Sequence, residues 1–174
     1  KDVTLTASST VKVNGPVTLA QILELQKSVA TDLTKLTFTN TSAALTGTTA
    51  EILKAIKSAP AEYKGAIKVT DAVNATDLKT INDATTGKIT LSKVSEPLSG
   101  DYDTLTDALD GITGYKGAIT LVDTTNDEPA DINDVAKLTT GKLTATLDAG
   151  TVITDATVTA LKDVNTKDAI TFNA

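Results

Sequence analysis

The chain has 174 residues, a formal net charge of −6 and a pI near 4.6, and its 16 basic residues are all Lys. An acidic balance without Arg argues against a nucleic-acid partner, and the absence of His and Cys removes imidazole and thiolate catalysis, disulfides and the usual zinc or copper sites. No apolar run is long enough to span a bilayer, so membrane insertion is not expected, and the opening residues KDVTLTA (1–7) lack the apolar core of a signal peptide. Threonine supplies 34 residues. Its branched Cβ suits a pleated strand and its hydroxyl tolerates water, a composition that fits a durable extracellular or cell-surface protein.

In chain order, short alternating tetrads take turns with helix-like stretches. VKVN (11–14) is followed by VTLAQILELQK (17–27), LTFT (36–39) by AEILKAIKS (50–58), and IKVT (67–70) by TDLKTINDA (76–84). ITLS (89–92) then leads to YDTLTDALDGI (102–112), ITLV (119–122) to DINDVAKL (131–138), and LTAT (143–146) to DATVTALKDV (155–164) before ITFN (170–173). Each tetrad begins apolar, polar, apolar, which predicts a strand with one buried face. Leu78, Ile81 and Ala84, like Ile132, Val135 and Leu138, form a narrow helical stripe. Thr18 with Gln21, and Thr48 with Glu51, have the spacing of a capping box. Leu45, Leu98 and Ile153 read as buried plugs in the loops before a helix.

The same phrases return. TGTTAEILKAIKSAPAEYKGAIKVTD (46–71) matches SGDYDTLTDALDGITGYKGAITLVD (99–123), and TDLKTINDATTGKITL (76–91) matches ADINDVAKLTTGKLTA (130–145). Ile52, Leu78, Leu105, Ile132 and Val158 lie 26 or 27 residues apart, and the tetrads alternate long and short steps, so the full repeat is a pair of about 53 residues. Strand, helix and strand at a fixed period predict an α/β repeat solenoid, with one sheet of parallel strands and a row of short helices. Residues 1–45 are assigned to an atypical capping region, and 46–174 to repeats bounded at 46–74, 75–98, 99–129, 130–153 and 154–174. The period is near that of leucine-rich repeats, but their signature is missing. A β-sandwich is the alternative fold, and the capped helices count against it.

The alternating units ATDLKTINDATTGKITL (75–91) and SGDYDTLTDALDGITGYKGAITL (99–121) resemble the Thr-rich repeats of very large secreted or cell-surface proteins of marine cyanobacteria and other bacteria. The resemblance covers most of 46–174 and not the first 45 residues. It implies surface layers, adhesins or motility-associated coats rather than enzymes, and it carries over no catalytic or ligand residue.

The repeated TTGK, ending at Lys88 and Lys142, lacks the upstream glycine and following Ser or Thr of a phosphate loop. It reads instead as a helix C-terminus with Gly in left-handed geometry. In VDTTNDEPADIND (122–134), the oxygens of Asp123, Asn126, Asp127 and Asp131 are the candidate Ca²⁺ ligands, although no EF-hand spacing is present. Asp71, Asn74 and Asp77 are their counterparts in the paired unit, with turn and cap formation as the plainer reading. The carboxylates of Asp101, Asp103, Asp107 and Asp110 could in principle do glycosidase chemistry, but without aromatic platforms or Arg they read as a solvated helix start. Outward positions of the tetrads give two rows. One holds Thr37, Thr90, Thr120, Thr144 and Thr171, the other Thr39 and Thr146. Together they make a candidate face for ice, mineral or glycan. Asn40-Thr41-Ser42 and Asn74-Ala75-Thr76 are formal glycosylation sequons that read as turns.

The sequence thus predicts a non-enzymatic, structural segment of an extracellular surface-layer, adhesin or fibre-forming protein. It would act as a stiff rod that self-associates, with other copies of itself or flanking repeats of a larger chain as partners. A Ca²⁺-dependent or Thr-face binding module is the rival reading; no cofactor is expected other than the Ca²⁺ of that rival.

Overall fold

A computed structural model describes residues 10–28, 36–57, 63–122, 129–147 and 154–172. The alternating tetrads fall on strands and the intervening stripes on helices. In order, these are β1 (Val11–Val13), α1 (Leu19–Ser28), β2 (Leu36–Phe38), β3 (Leu45–Gly47), α2 (Thr49–Ile56), β4 (Ile67–Val69), α3 (Ala75–Asp83) and β5 (Ile89–Leu91). They continue as β6 (Leu98–Gly100), α4 (Tyr102–Leu109), β7 (Ile119–Leu121), α5 (Pro129–Lys137), β8 (Leu143–Leu147), α6 (Asp155–Ala160) and β9 (Ala169–Phe172). Every strand pair among the described residues is parallel, so the chain is mixed α/β. The antiparallel ladders of a β-sandwich are not what these strands form.

The strands divide among three sheets, ordered β1-β2, β3-β4-β5 and β6-β7-β8-β9, rather than the one continuous sheet expected. Connection length accounts for the breaks. A parallel neighbour needs a crossover of a dozen or more residues. The links at 39–44 and 92–97 hold six residues each and contain no helix. The 53-residue period is therefore a β-α-β-α-β module, starting once at Leu45 and again at Leu98. Leu45 and Leu98 are buried as predicted, but each opens a strand rather than plugging a loop.

The described residues group into two compact units, one from those up to Ala72 with Thr80–Ser92, the other from Val73–Lys79 with those from Lys93 on. In each, the core is built from alternate residues of the strands. Leu45, Ile67 and Val69 are buried in the first unit, and Ile119, Leu143 and Leu147 in the second. Helix residues complete it. The fourth residue after the N-cap is almost fully buried at Ile22, Ile52, Leu78 and Leu105.

Helix starts follow the cap chemistry. Glu51 N–H donates to Thr48 Oγ1 (3.4 Å) while Thr48 N–H donates to Glu51 Oε2 (2.9 Å), and Thr18 with Gln21 repeats the arrangement at α1. Asn74 Oδ1 accepts from Asp77 N–H (2.8 Å) and Asn40 Oδ1 from Ser42 N–H (3.0 Å), so both sequon asparagines are turn or cap residues.

The TTGK corners depart from expectation. Among described residues the positive-φ glycines are Gly111 and Gly114, whereas Gly87 and Gly141 are not left-handed caps. They are required for a different reason. A Cβ on Gly87 would stand 2.0 Å from Gly65 O, and one on Gly141 2.2 Å from Gly117 O. One corner lies backbone-to-backbone on the previous one, which only a residue without Cβ permits. The helix also ends sooner than the phrase suggests, at Asp83, and Thr85 forms a parallel bridge with Tyr63. Buried Thr85 then donates its hydroxyl to Tyr63 O (2.6 Å) and accepts from Gly87 N–H (2.9 Å). Thr139 donates to Gly117 O (2.7 Å) and accepts from Gly141 N–H (2.7 Å).

Candidate functional site

A strand of alternating residues turned inward at positions one and three presents position two to solvent. In the β3-β4-β5 sheet that outward row is Thr46, Lys68 and Thr90, in mutual register and exposed. In the four-stranded sheet it is Ser99, Thr120, Thr144 and Ala169. The two-stranded sheet sets Thr37 beside Lys12, and Thr39 just beyond β2 donates its hydroxyl to Val13 O (2.9 Å).

This corrects the expected rows. Six of the seven candidate threonines are spread over three sheets, and Thr39 lies just beyond β2. Thr144 is level with Ala169, so Thr171 is level with Thr146 instead. The shift is two residues, which keeps the outward face but changes the neighbour. In-register pairs are thus Thr120 with Thr144 and Thr146 with Thr171, interrupted elsewhere by Lys68 and Ser99. Thr90, Thr120 and Thr171 are exposed, while Thr37, Thr144 and Thr146 are half-buried.

Of the calcium candidates, Asp131 lies in the first turn of α5 and is half-buried. Asp123, Asn126 and Asp127 lie outside the described residues. Among the described residues no three of His, Cys, Asp or Glu are grouped to hold a metal ion.

Asp71, Asp101 and Asp107 have structural partners. Asp71 accepts from the N–H (2.7 Å) and hydroxyl (2.9 Å) of buried Thr49. Burial alone would raise its carboxyl, but these two bonds together hold it below the ordinary range. Asp101 is the N-cap of α4 and accepts from Thr104 N–H (2.6 Å), the bond that chiefly lowers it. Asp107 makes an ion pair with Lys79 at 2.5 Å. Of the four carboxylates around the start of α4, Asp101 thus caps the helix and Asp107 is ion-paired.

The repeated YKGAI (63–67 and 115–119) hides a signal that sequence reading passed over. The Tyr63 hydroxyl donates to Ala43 O and the Tyr115 hydroxyl to Glu96 O, each ring buried. Burial pushes the Tyr115 phenol up to about 12, with the Glu96 carboxylate adding to it. Nor was the exchange between Asn133 and Asp163 foreseen. Asn133 Nδ2 donates to Asp163 Oδ2 (2.9 Å), and Asp163 N–H donates to Asn133 Oδ1 (2.7 Å). Nothing at either position is periodic, so only proximity exposes the pair.

Comparison with known protein families, characterised proteins and solved structures finds no match for this chain.

Proposed function

We propose that this chain is a non-enzymatic structural segment of an extracellular surface-layer, adhesin or fibre-forming protein, in which β-α-β-α-β modules continue one another as a solenoid. The observation that carries this reading is the stacking of corners. Gly87 rests on Gly65 and Gly141 on Gly117, each at a separation that excludes a side chain. Such corners, with helix anchors at a fixed period, suit a chain that grows by adding modules, each covering the apolar face of the last. The resulting rod would be stiff, and its Thr-rich faces would keep it wet.

The array is tested by duplicating residues 99–151 in place. A stacked array accepts the extra module, retaining its ellipticity per residue and resisting limited proteolysis within the insert. An insert digested while the rest of the chain survives would overturn the reading. The location is tested separately by labelling source cells with an antibody to this chain before and after permeabilisation; label that appears only after permeabilisation would refute a surface role.

A second reading is a Thr-face binding module, favoured by the in-register pairs Thr120–Thr144 and Thr146–Thr171. It predicts that Thr120→Lys with Thr171→Lys abolishes adsorption to ice or mineral. Its calcium-dependent form is refuted by a calorimetric titration that shows neither heat nor a melting shift.

A further inference from the structure

Among the eight asparagines of the chain, Asn14 alone is followed by glycine. An asparagine amide is lost when the next residue's main-chain nitrogen closes a five-membered ring on its side-chain carbonyl carbon. Glycine makes that closure easy, because without a Cβ its nitrogen is unshielded and the backbone can turn to meet the side chain. The other seven asparagines precede Thr, Ala or Asp, each with a Cβ in the way.

Surroundings sharpen the contrast. Asn40 Oδ1 accepts from Ser42 N–H (3.0 Å), Asn74 Oδ1 from Asp77 N–H (2.8 Å) and Asn165 Oδ1 from Lys167 N–H (3.1 Å). Buried Asn133 is bonded to Asp163 at both ends of its amide. These bonds fix side-chain torsions that ring closure must change. Asn14 is exposed and stands one residue past β1. Its Oδ1 lies 3.3 Å from the Thr39 hydroxyl, whose single proton is also directed at Val13 O (2.9 Å), so the side chain is weakly held. A Cβ on Gly15 would meet nothing within 4 Å, and no described residue accepts from the Gly15 N–H.

We propose that Asn14-Gly15 is a self-modification site, where the chain converts its own asparagine to an aspartyl or isoaspartyl linkage and so loosens β1 from β2. The Gly15 nitrogen gives up its proton and bonds to Asn14 Cγ, the Cγ–Nδ2 bond breaks, and ammonia leaves with that proton. Water then opens the resulting succinimide. Attack at Cγ leaves an ordinary aspartyl residue; attack at the main-chain carbonyl leaves an isoaspartyl linkage that runs through the side chain. The balance is asparagine plus water to acid plus ammonia, with nothing oxidised or reduced. The isoaspartyl form adds a methylene to the main chain directly after Val13, whose carbonyl takes both the N–H (3.0 Å) and the hydroxyl (2.9 Å) of Thr39. Both bonds then lose the chain path that aims their acceptor. The site goes beyond the structural role above and does not rest on it.

The test is peptide mapping by mass spectrometry of the folded chain held at mildly alkaline pH, where loss of the Gly15 proton is favoured. The tryptic peptide 13–27 holds Asn14 as its only asparagine, and 36–54 holds Asn40. Conversion of Asn14 is expected at least tenfold faster than that of Asn40, with two product forms of equal mass. Gly15→Ala is expected to slow it at least tenfold, with circular dichroism confirming the fold. Hydrogen exchange at Thr39 N–H should be at least tenfold faster in the isoaspartyl product than in Asn14→Asp, which adds the charge without altering the main chain. An Asn14 that outlasts Asn40, or a Gly15→Ala chain that converts at the same rate, overturns the site. Equal exchange at Thr39 in the product and in Asn14→Asp overturns the loosening.

Discussion

Gly87 and Gly15 have the same composition and opposite surroundings, which makes them a matched test of how the corners work. A Cβ at Gly15 meets nothing within 4 Å, whereas at Gly87 it meets a carbonyl oxygen at 2.0 Å. Gly87→Ala is expected to cost about 2–4 kcal/mol, because main chain rather than a flexible side chain must move. Gly15→Ala should be neutral or stabilise by up to about 1 kcal/mol through the unfolded state. Urea denaturation of both variants checks the contrast. Tyr115 supplies a second residue-scale prediction. Its phenol is held neutral to about 12, so its stabilising contribution is full below the unfolded value near 10 and is lost as pH rises from there towards 12. Tyr115→Phe leaves the Glu96 carbonyl without this donor and should cost about 1 kcal/mol at neutral pH. The same substitution should flatten alkaline unfolding between pH 10 and 12, and an unchanged alkaline limb would refute the assignment.

The helices are short, eight residues in both α2 and α4, and gain their stability from caps and one buried stripe rather than from length. Asp101 illustrates the cap. Its carboxyl is lowered on folding, so its contribution is present above the unfolded value of about 3.9 and disappears as pH falls through the folded one. Asp101→Asn keeps a good cap but removes the titration, so stability at pH 7 should change by less than about 1 kcal/mol. The loss of stability in acid should become less steep below pH 4, measured by melting temperature against pH. The buried anchors give the complementary test. Leu105→Ala is expected to cost about 2–5 kcal/mol, while Val158→Ala costs less than about 0.5 kcal/mol.

Legibility followed the number of residues that carried each signal. All six helices and the strands at the seven tetrads were readable because period, cap and anchor agreed. β3 and β6 were missed because LTG and LSG hold one apolar residue each and a glycine that weakens a strand pattern. The corner glycines were recognised as corners for the wrong physical reason, since a sequence cannot distinguish a positive φ from a close approach. For the outward threonines, the face followed from alternation, but register across β8 and β9 depended on the length of the preceding turn.

At the level of the whole molecule, charge is the property that spans every element. With a net charge of −6 and a pI near 4.6, mutual repulsion between molecules vanishes near that pH, while Glu51, Asp71 and Asp101 are held below the ordinary carboxylate range by their hydrogen bonds. A solubility minimum is therefore expected near pH 4.6 with secondary structure intact, checked by turbidity and circular dichroism on the same samples. Precipitation accompanied by loss of ellipticity at that pH would contradict it.

The contact between Gly87 and Gly65, repeated by Gly141 and Gly117, has a consequence for how such a chain can diverge. Main chain against main chain acts as a spacer of fixed thickness, independent of any side-chain vocabulary. Successive corners of one module can then differ in surface letters, as Lys64-Gly65-Ala66 and Thr86-Gly87-Lys88 do, and still lie at the same separation. Mutation is confined where the gauge is set and free where it is not, so the wording of a module can change without changing the contact between its corners.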